Sequence, residues 1–374
     1  MKLQTSEKPG IPLSGAVEGA GQKRPDQTAR HILIVIAIVL AGLLIASHGV
    51  DKSKVLKLLT QLKLSYLGLA ATCFFIFMLF EALSYKLLLR SNGYRVSIMR
   101  SYIYALSDYF FSSISPGGSA GQFGQFYMMQ RDGISAAACL SSLFSFNMLY
   151  HLILCLFAIF AFVCGAVSTI ASNTASMLIV AYGIGAQVLF SLCIAALLFS
   201  TRLAPKIIRK LARMARRNRL FKRFAPSKEK TEQFLDEYKL CGKRAKENPL
   251  LLLKVSVLIC LQMTALYSIP WFIAHAMGFN INFFTMLALQ SLCVIATESI
   301  PLPGGAGASE IFFAHSYAKI MPANEAFGMM LVTRCLSLYL GIIVGGLAVS
   351  LCPRTSYIRL DRPEDGRPAD GQTK

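Results

Sequence analysis

Five ionisable residues interrupt segments of this chain that are otherwise apolar. Four are acids and one is an arginine: Glu81, Asp108, Glu298, Glu310 and Arg334. A charge inside an apolar helix is costly, so such residues usually mark a substrate or ion pathway. We expect Arg334 to pair with Glu298 or Glu310, which would keep the acid ionised. A phosphate could compete for this arginine through bidentate hydrogen bonds. An ion pair that serves only the fold is the alternative.

Glu81 and two further polar residues, Asn147 and His151, have simpler interpretations. Glu81 lies about two helical turns before Arg90, so we expect its side chain to snorkel to the membrane surface. Asn147 and His151 are four residues apart and share one face of a helix. They could line a cavity or relay a proton, but a hydrogen bond that packs two helices together is the favoured interpretation.

Two similar stretches containing Pro-Gly-Gly lie next to these charges. They read SISPGGSAGQ at residues 113–122 and SIPLPGGAGASE at residues 299–310. Proline and glycine end a helix, and the helix that follows has free N–H groups and a positive dipole end at its first turn. Such an end attracts a phosphate or a carboxylate. Two of them would form an anion site, whereas glycines that merely allow tight hairpin packing are the alternative.

Polar side chains lie on both sides of both stretches, which packing alone does not require. Asp108 precedes the first stretch, Gln125 follows it, and Glu298 precedes the second. The predicted substrate-binding set joins such polar residues to the glycines: Asp108, Gly117, Gly118, Gln122, Gln125, Glu298, Gly304, Gly305, Glu310 and Arg334. No catalytic residue is predicted, because the chain has no nucleophile elbow, P-loop or dinucleotide fingerprint.

The composition of the chain indicates that membrane-spanning helices position these residues. The 374 residues are 55% hydrophobic and only 15% charged, against about 25% charged in soluble domains. Several apolar runs exceed the roughly 20 residues that span a bilayer. The chain is therefore predicted to be an all-α polytopic integral membrane protein.

The net charge of +19 is concentrated in one loop. Residues 202–247 contain 16 Lys/Arg and 5 Asp/Glu, which places +11 of the total there. This is the positive-inside signature of a cytoplasmic loop, and the loop could also rest on anionic lipid headgroups. Nucleic-acid binding is the weaker interpretation, because the placement of these charges in one loop between apolar spans is already explained by membrane topology.

Loop charges indicate which apolar segments cross the membrane. About six full spans are expected, at residues 31–47, 66–89, 134–167, 177–200, 249–275 and 326–352. Residues 102–130 have cytoplasmic-looking charges at both ends and 283–321 lie between two external ends, so each is predicted to enter and return. Span, re-entrant hairpin and span then occur twice, at 66–167 and 250–352, as an inverted repeat of the kind that builds many transporters.

The remaining expectations concern boundaries and cofactors. A disordered cytoplasmic tail is predicted at 1–30, a transmembrane domain at 31–352 with a basic cytoplasmic loop at 201–249, and a second cytoplasmic tail at 353–374. The ten cysteines are scattered without zinc spacing and no histidine pair has metal-site spacing, so no metal and no cofactor are expected.

The two glycine stretches carry a resemblance to a known family. SPGGSAGQFGQFYMMQRDGIS and PLPGGAGASEIFF resemble the signature loops of the flippase-like transmembrane domain of lysylphosphatidylglycerol synthases. By this resemblance, Glu310 matches the acid after the second loop and Arg334 the basic residue of the last span. Gln122 lies where many relatives have either Glu or Gln. The soluble aminoacyl-transfer domain of full-length synthases has no counterpart among the residues that follow Cys352.

The resemblance implies a function in lipid handling. We expect a flippase-like protein of the bacterial cytoplasmic membrane, with both termini cytoplasmic, that binds and translocates or handles an anionic or aminoacylated phospholipid or a glycolipid. A phosphatidylglycerol lysyltransferase, or a membrane subunit of such a lipid-modifying system, is the alternative. The expected partners are the lipid itself and a soluble or membrane lipid-modifying enzyme, with no direct nucleic-acid contact, and the oligomeric state is left open.

Overall fold

The computed structural model describes residues 51–115, 118, 120–166, 174–200, 202–217, 226–298, 300 and 308–353. The regular structure of these residues is helical, without any strand. In chain order the helices are α1 Lys52–Thr60, α2 Leu64–Ser91, α3 Ile98–Ile114, α4 Gly121–Arg131, α5 Ala136–Val163, α6 Thr174–Phe199, α7 Leu203–Arg217, α8 Lys228–Glu247, α9 Pro249–Ala276, α10 Phe283–Glu298, α11 Ala308–Tyr317, α12 Ala323–Arg334 and α13 Leu340–Leu351. A π-helical turn, Cys335–Tyr339, joins α12 to α13. The span predicted at 31–47, the tail at 1–30 and residues 354–374 of the second tail lie outside the described residues.

Five helices are long and apolar enough to cross a membrane. They are α2, α5, α6, α9 and the continuous helix formed by α12, the π turn and α13. This confirms the prediction of a polytopic helical membrane protein. The boundaries agree with the predicted spans to within a few residues, except that α5 ends at Val163 rather than at residue 167.

Four shorter helices correspond to the two predicted hairpins. Helices α3 and α4 contain 17 and 11 residues, and α10 and α11 contain 16 and 10. At 1.5 Å per residue none exceeds about 26 Å, which is less than the roughly 30 Å hydrocarbon core of a bilayer. Helix α3 packs on α4, and α10 packs on α11. We call α3–α4 the first hairpin and α10–α11 the second hairpin.

Several packing contacts recur when the two halves of the chain are exchanged. Helices α2 and α9 pack on each other at the centre. The first hairpin packs through α3 on α13, and the second packs through α10 on α5. Each hairpin thus lies against the last span of the other half.

The bases of the two hairpins lie at opposite ends of the bundle. At one end the Ser135 backbone N–H donates to the Tyr94 hydroxyl at 3.1 Å, which joins the start of α5 to the turn between α2 and α3. At the other end the Lys63 N–H donates to the Ala276 carbonyl at 3.2 Å, which joins the start of α2 to the end of α9. The second hairpin begins at this end, where the Trp271 indole donates to the Ile281 carbonyl at 2.9 Å.

Local sequence explains several helix starts. The side chains of Ser97, Ser135, Ser227 and Asn248 each accept a hydrogen bond from the backbone N–H three residues later. These N-caps satisfy one of the N–H groups that a helix start leaves free. Pro249 at the first position of α9 has no N–H to satisfy and already has a helical φ.

The described part of the basic loop forms two helices. It contains α7 and α8, which pack on each other, and α8 also packs on α5. Ala204 of α7, Tyr238 of α8 and Ala137 of α5 form a small buried apolar cluster. The loop therefore docks on the bundle as two helices.

Candidate functional site

The tip of the first hairpin is a tight turn closed by two serines. Gly118 has φ of +67°, a conformation that favours glycine. The Ser112 hydroxyl donates to the Gly118 carbonyl at 3.2 Å, and the Ala120 N–H donates to the Ser115 hydroxyl at 3.0 Å. The turn leads directly into α4, so the chain reverses here as the sequence predicted.

Close packing at Gly121 places a carboxylate at the first turn of α4. A Cβ built on Gly121 would lie 1.9 Å from Ser112 Oγ and 2.7 Å from Asp108 Oδ1. Only glycine therefore allows α4 to approach α3 this closely. Asp108 consequently faces the positive end of the α4 dipole, where a negative charge is stabilised. Glu310 occupies the corresponding place in the second hairpin, in the first turn of α11.

Glu81 does not snorkel to the membrane surface. Its side chain is only 4% exposed, and its Oε2 accepts a hydrogen bond of 3.0 Å from Gln262 Nε2 of α9. The partner comes from the other half of the chain, at the contact between α2 and α9. The snorkelling prediction was wrong because it considered only the position of Glu81 along its own helix.

Glu81 is one of several buried polar groups near the centre of the bundle. The Tyr85 hydroxyl lies beside the Gln125 amide and within electrostatic range of both Glu81 and Asp108. Among the described residues, five fully or almost fully buried side chains carry polar atoms without a hydrogen-bond partner: Glu81 Oε1, Gln125 Oε1 and Nε2, Gln262 Oε1, Tyr267 Oη and, near the base of the first hairpin, Ser101 Oγ. Buried groups of this kind normally bind a protein partner, ordered water or a ligand.

Glu298 and Gln122 form the accessible edge of this polar region. The Glu298 carboxylate is exposed and makes a hydrogen bond with the Tyr150 hydroxyl of α5. Gln122 is also exposed, and its Nε2 donates to Asn147 Oδ1 at 2.7 Å. Both hairpins thus place a polar side chain opposite α5 at a position that an incoming molecule can reach.

Arg334 pairs with Glu310, which is one of the two partners that the sequence predicted for it. Its Nε lies 2.9 Å from Glu310 Oε1, with side-chain exposures of 19% and 3%. The π turn begins immediately after Arg334, and its Ser337 carbonyl accepts a 2.8 Å hydrogen bond from the Tyr109 hydroxyl of α3. Such π turns frequently occur at functional sites. The sequence RCLSLYL contains no proline or glycine that would have signalled it.

These contacts join the predicted residues into one polar layer across both halves. Tyr109 lies within electrostatic range of Arg334 and Glu81, and Tyr150 within range of Glu298 and Glu81. Glu81 is therefore the common neighbour of both sides of the layer, although it was not in the predicted binding set. The layer contains four carboxylates and, among the described residues, one arginine that is already paired.

A second buried ion pair lies at the base of the first hairpin, where only loop charges had been expected. Arg100 in the first turn of α3 makes a bidentate pair with Asp132, the residue that ends α4. The Tyr104 hydroxyl donates to Asp132 Oδ2 at 2.6 Å. Arg100 also contacts Cys352 Sγ at the end of α13. This cluster ties the two arms of the hairpin together and to the last span.

The remaining predicted residues have the following places. His151 makes a hydrogen bond through Nδ1 with Gln187 of α6, which confirms the interpretation as a helix-packing contact. Gly117, Gly304 and Gly305 lie outside the described residues. No group of three or more His, Cys, Asp or Glu side chains that could hold a metal occurs in the part of the chain that the structure describes.

The fold and the polar layer define a class of protein, a polytopic helical membrane protein with charged groups buried between two similar halves. A family model described as the lysylphosphatidylglycerol synthase TM region matches residues 32–345. The chain belongs to this family. Searches of curated proteins and of solved structures returned no match.

Proposed function

We propose that the polar layer binds the headgroup of an anionic or aminoacylated phospholipid, or of a glycolipid, and that the protein translocates or otherwise handles this lipid. The observation that carries the proposal is the composition of the layer: four carboxylates, of which Glu81 and Glu310 are buried, accompany a single arginine among the described residues. A structural ion pair needs one acid for one base, so the additional acids are available to positive or hydroxyl groups of a headgroup.

Each side of the layer suits a different part of an aminoacylated phospholipid. Arg334, which is partly exposed, would exchange Glu310 for the phosphate and bind two of its oxygens. Asp108 and Glu298 would meet ammonium or hydroxyl groups, and Glu81 with Gln262 would extend this acidic side or carry a coupled proton. The acyl chains would stay in the surrounding lipid.

The opposite placement of the hairpin bases supports access from both leaflets. We propose that the first hairpin enters from the cytoplasmic side and the second from the external side, so that their tips meet near the midplane. Residues 202–247, with their excess of positive charge, favour a cytoplasmic position for the end that carries α7 and α8. Both termini would then be cytoplasmic, in a bacterial inner membrane.

Reconstituted vesicles provide the test. Arg334→Ala and Glu310→Ala should abolish translocation of a labelled aminoacylated phosphatidylglycerol between leaflets while the purified protein remains monodisperse. Arg95→Ala and Glu229→Ala remove the same kinds of charge from exposed positions and serve as matched controls. Wild-type translocation in the Arg334 and Glu310 variants would overturn the assignment of the site.

The family description favours a second candidate, a phosphatidylglycerol lysyltransferase or a membrane subunit of such an enzyme. Transfer of labelled lysine to lipid by the purified chain, or by the chain with a soluble partner, distinguishes this candidate. Lipid labelling without translocation would favour the enzyme, and translocation without labelling would favour the flippase.

A further inference from the structure

We infer that the cleft between α7 and α8 is a second, peripheral site that binds the phosphate of an anionic phospholipid headgroup at the membrane surface. The cleft has a volume of about 630 Å³. Its lining consists of five basic residues, one acid and one hydroxyl residue: Arg209, Arg213, Arg216, Arg217, Lys228, Glu232 and Thr231. A cluster of guanidinium groups of this kind binds phosphate oxygens through charge-assisted hydrogen bonds.

Some of these cations already have partners and hold the walls of the cleft in place. Arg209 makes a bidentate pair with Glu232 at 2.8 and 2.6 Å. Arg216 donates to the Pro226 carbonyl at 2.8 Å and to Thr231 Oγ1 at 3.3 Å. These contacts cross from α7 to α8 or to the turn just before it, so they fix the width of the cleft.

The other cations remain available to a ligand. Arg213, Arg217 and Lys228 make no ion pair or hydrogen bond through their side chains with other described residues. They converge on a cleft in which Glu232, the one acid among the described lining residues, is already paired with Arg209. The arrangement has a fixed frame and three free positive charges, which is suited to an anion.

The shape of α7 indicates that the anion belongs to a lipid. At about 100° per residue, three sets of side chains on α7 are centred roughly 120° apart. One set, Ala204 with Pro205 and Ala212, is buried against the protein. The second is the row of cations. The third is an apolar row, exposed by 40–59%, that consists of Leu203, Ile207, Leu211 and Met214.

No described residue covers this apolar row. Its position next to a membrane span indicates that lipid contacts it. Helix α7 begins four residues after α6, a membrane span, has ended. An exposed apolar row next to a basic row is the pattern of a helix that lies in the membrane interface, with its cations at the level of the phosphates. Anionic lipid therefore accounts for both exposed faces of α7 at once, whereas a free phosphate accounts only for the basic one.

A charge-matched pair of variants tests the cleft. The triple variant Arg213→Gln, Arg217→Gln and Lys228→Gln removes the three free cations. The control removes three lysines from the exposed side of α8, outside the cleft: Lys239→Gln, Lys243→Gln and Lys246→Gln. The central polar layer is unchanged in both, so a difference between them reports on the cleft alone. The delipidated full chain is titrated with phosphatidylglycerol and bound lipids are counted by native mass spectrometry.

We expect the cleft variant to lose one bound phosphatidylglycerol and its affinity for this lipid to fall on the order of a hundredfold, because each cation near an anionic headgroup contributes roughly fivefold. The control should bind as the wild type does, and phosphatidylcholine should not occupy the site. Equal binding by the two triple variants would overturn the inference. Inorganic phosphate that competes at concentrations similar to those of the lipid, or an RNA that binds the cleft more tightly, would show that the ligand is not a lipid.

Discussion

The two hairpins differ in where they hold their buried ion pair. In the first hairpin the pair of Arg100 and Asp132 lies at the base, and the tip is closed by serines and glycine. In the second hairpin Glu310 lies near the tip, where α11 starts, and its partner Arg334 comes from α12 in the last span. The base of the second hairpin is held by the indole of Trp271 instead.

This difference separates a structural pair from one that can exchange partners. Asp132 is fully buried and receives hydrogen bonds from both Arg100 and Tyr104. Arg334 is 19% exposed and lies in the layer with three further acids. A saturated pair has no free position for a ligand, whereas the partial exposure of Arg334 supports the proposal that it exchanges its carboxylate for a phosphate. The same chemistry therefore serves the fold in one half and, we propose, the substrate in the other.

Replacing both members of each ion pair should give the clearest functional difference between the two pairs. Arg334→Met with Glu310→Gln should abolish lipid translocation, while Arg100→Met with Asp132→Asn should retain it. Both replacements remove a buried charge pair without leaving an unpaired charge, which often has little effect on stability. Translocation is measured in vesicles, and thermal unfolding in detergent shows that both variants fold. Equal activity of the two double variants would show that the pairs do not differ in function.

Removing one member of the structural pair should have the largest effect on stability. Arg100→Ala leaves Asp132 charged and fully buried, and breaking a buried pair in this way costs about 3–5 kcal/mol. Arg95→Ala removes the same charge from an exposed position in the same segment and is the control. Thermal unfolding of the purified protein in detergent measures both. A loss for Arg95→Ala as large as that for Arg100→Ala would contradict the assigned difference in burial.

The sequence was sufficient for features that depend on neighbours along the chain. Pro-Gly-Gly with its flanking loop charges predicted two hairpins, and the described helices on either side of each stretch do pack on each other. That these hairpins enter and return from opposite sides of the membrane stays a prediction. Arg334 is the only arginine in an apolar segment, so an acid near the second tip was its natural partner. The structure confirms the pair with Glu310.

The sequence was insufficient where partners are distant in the chain. Glu81 and Gln262 are 181 residues apart, and neither position alone indicates the contact between α2 and α9. The charges that flank residues 102–130 indicated a cytoplasmic side, but nothing in the sequence pairs Arg100 with Asp132, which lies in the turn after the hairpin, 32 residues later. The position of Glu81 at the centre of the layer, and the role of Arg100 at the hairpin base, follow only from the packing of whole helices.

Two glycines on α6 test how closely the second hairpin packs against that helix. A Cβ at Gly183 would lie 2.1 Å from the Ile295 carbonyl oxygen of α10, whereas a Cβ at Gly185 would contact nothing within 4 Å. Gly183→Ala should therefore destabilise the protein by about 1–3 kcal/mol through overpacking. Gly185→Ala should be neutral or stabilising by up to about 1 kcal/mol, since alanine is the better helix former. Thermal unfolding measures both, and equal effects would argue against close contact between α6 and the second hairpin.

The smallest effect is expected for an ion pair outside both hairpins. Glu232 and Arg209 are exposed in the basic loop, where ion pairs contribute little because water and salt screen them. The hydrogen bonds and charge of Arg209 hold the pKa of Glu232 below its usual value. A carboxyl group with a lowered pKa in the folded state stabilises the protein above its unfolded pKa, and this contribution is lost as the pH falls through the folded value. Glu232→Gln should thus lower the unfolding midpoint slightly at neutral pH, and the difference from wild type should vanish on acidification. A difference that grows in acid, or one comparable to that of Arg100→Ala, would show that this exposed pair behaves like the buried pair at the base of the first hairpin.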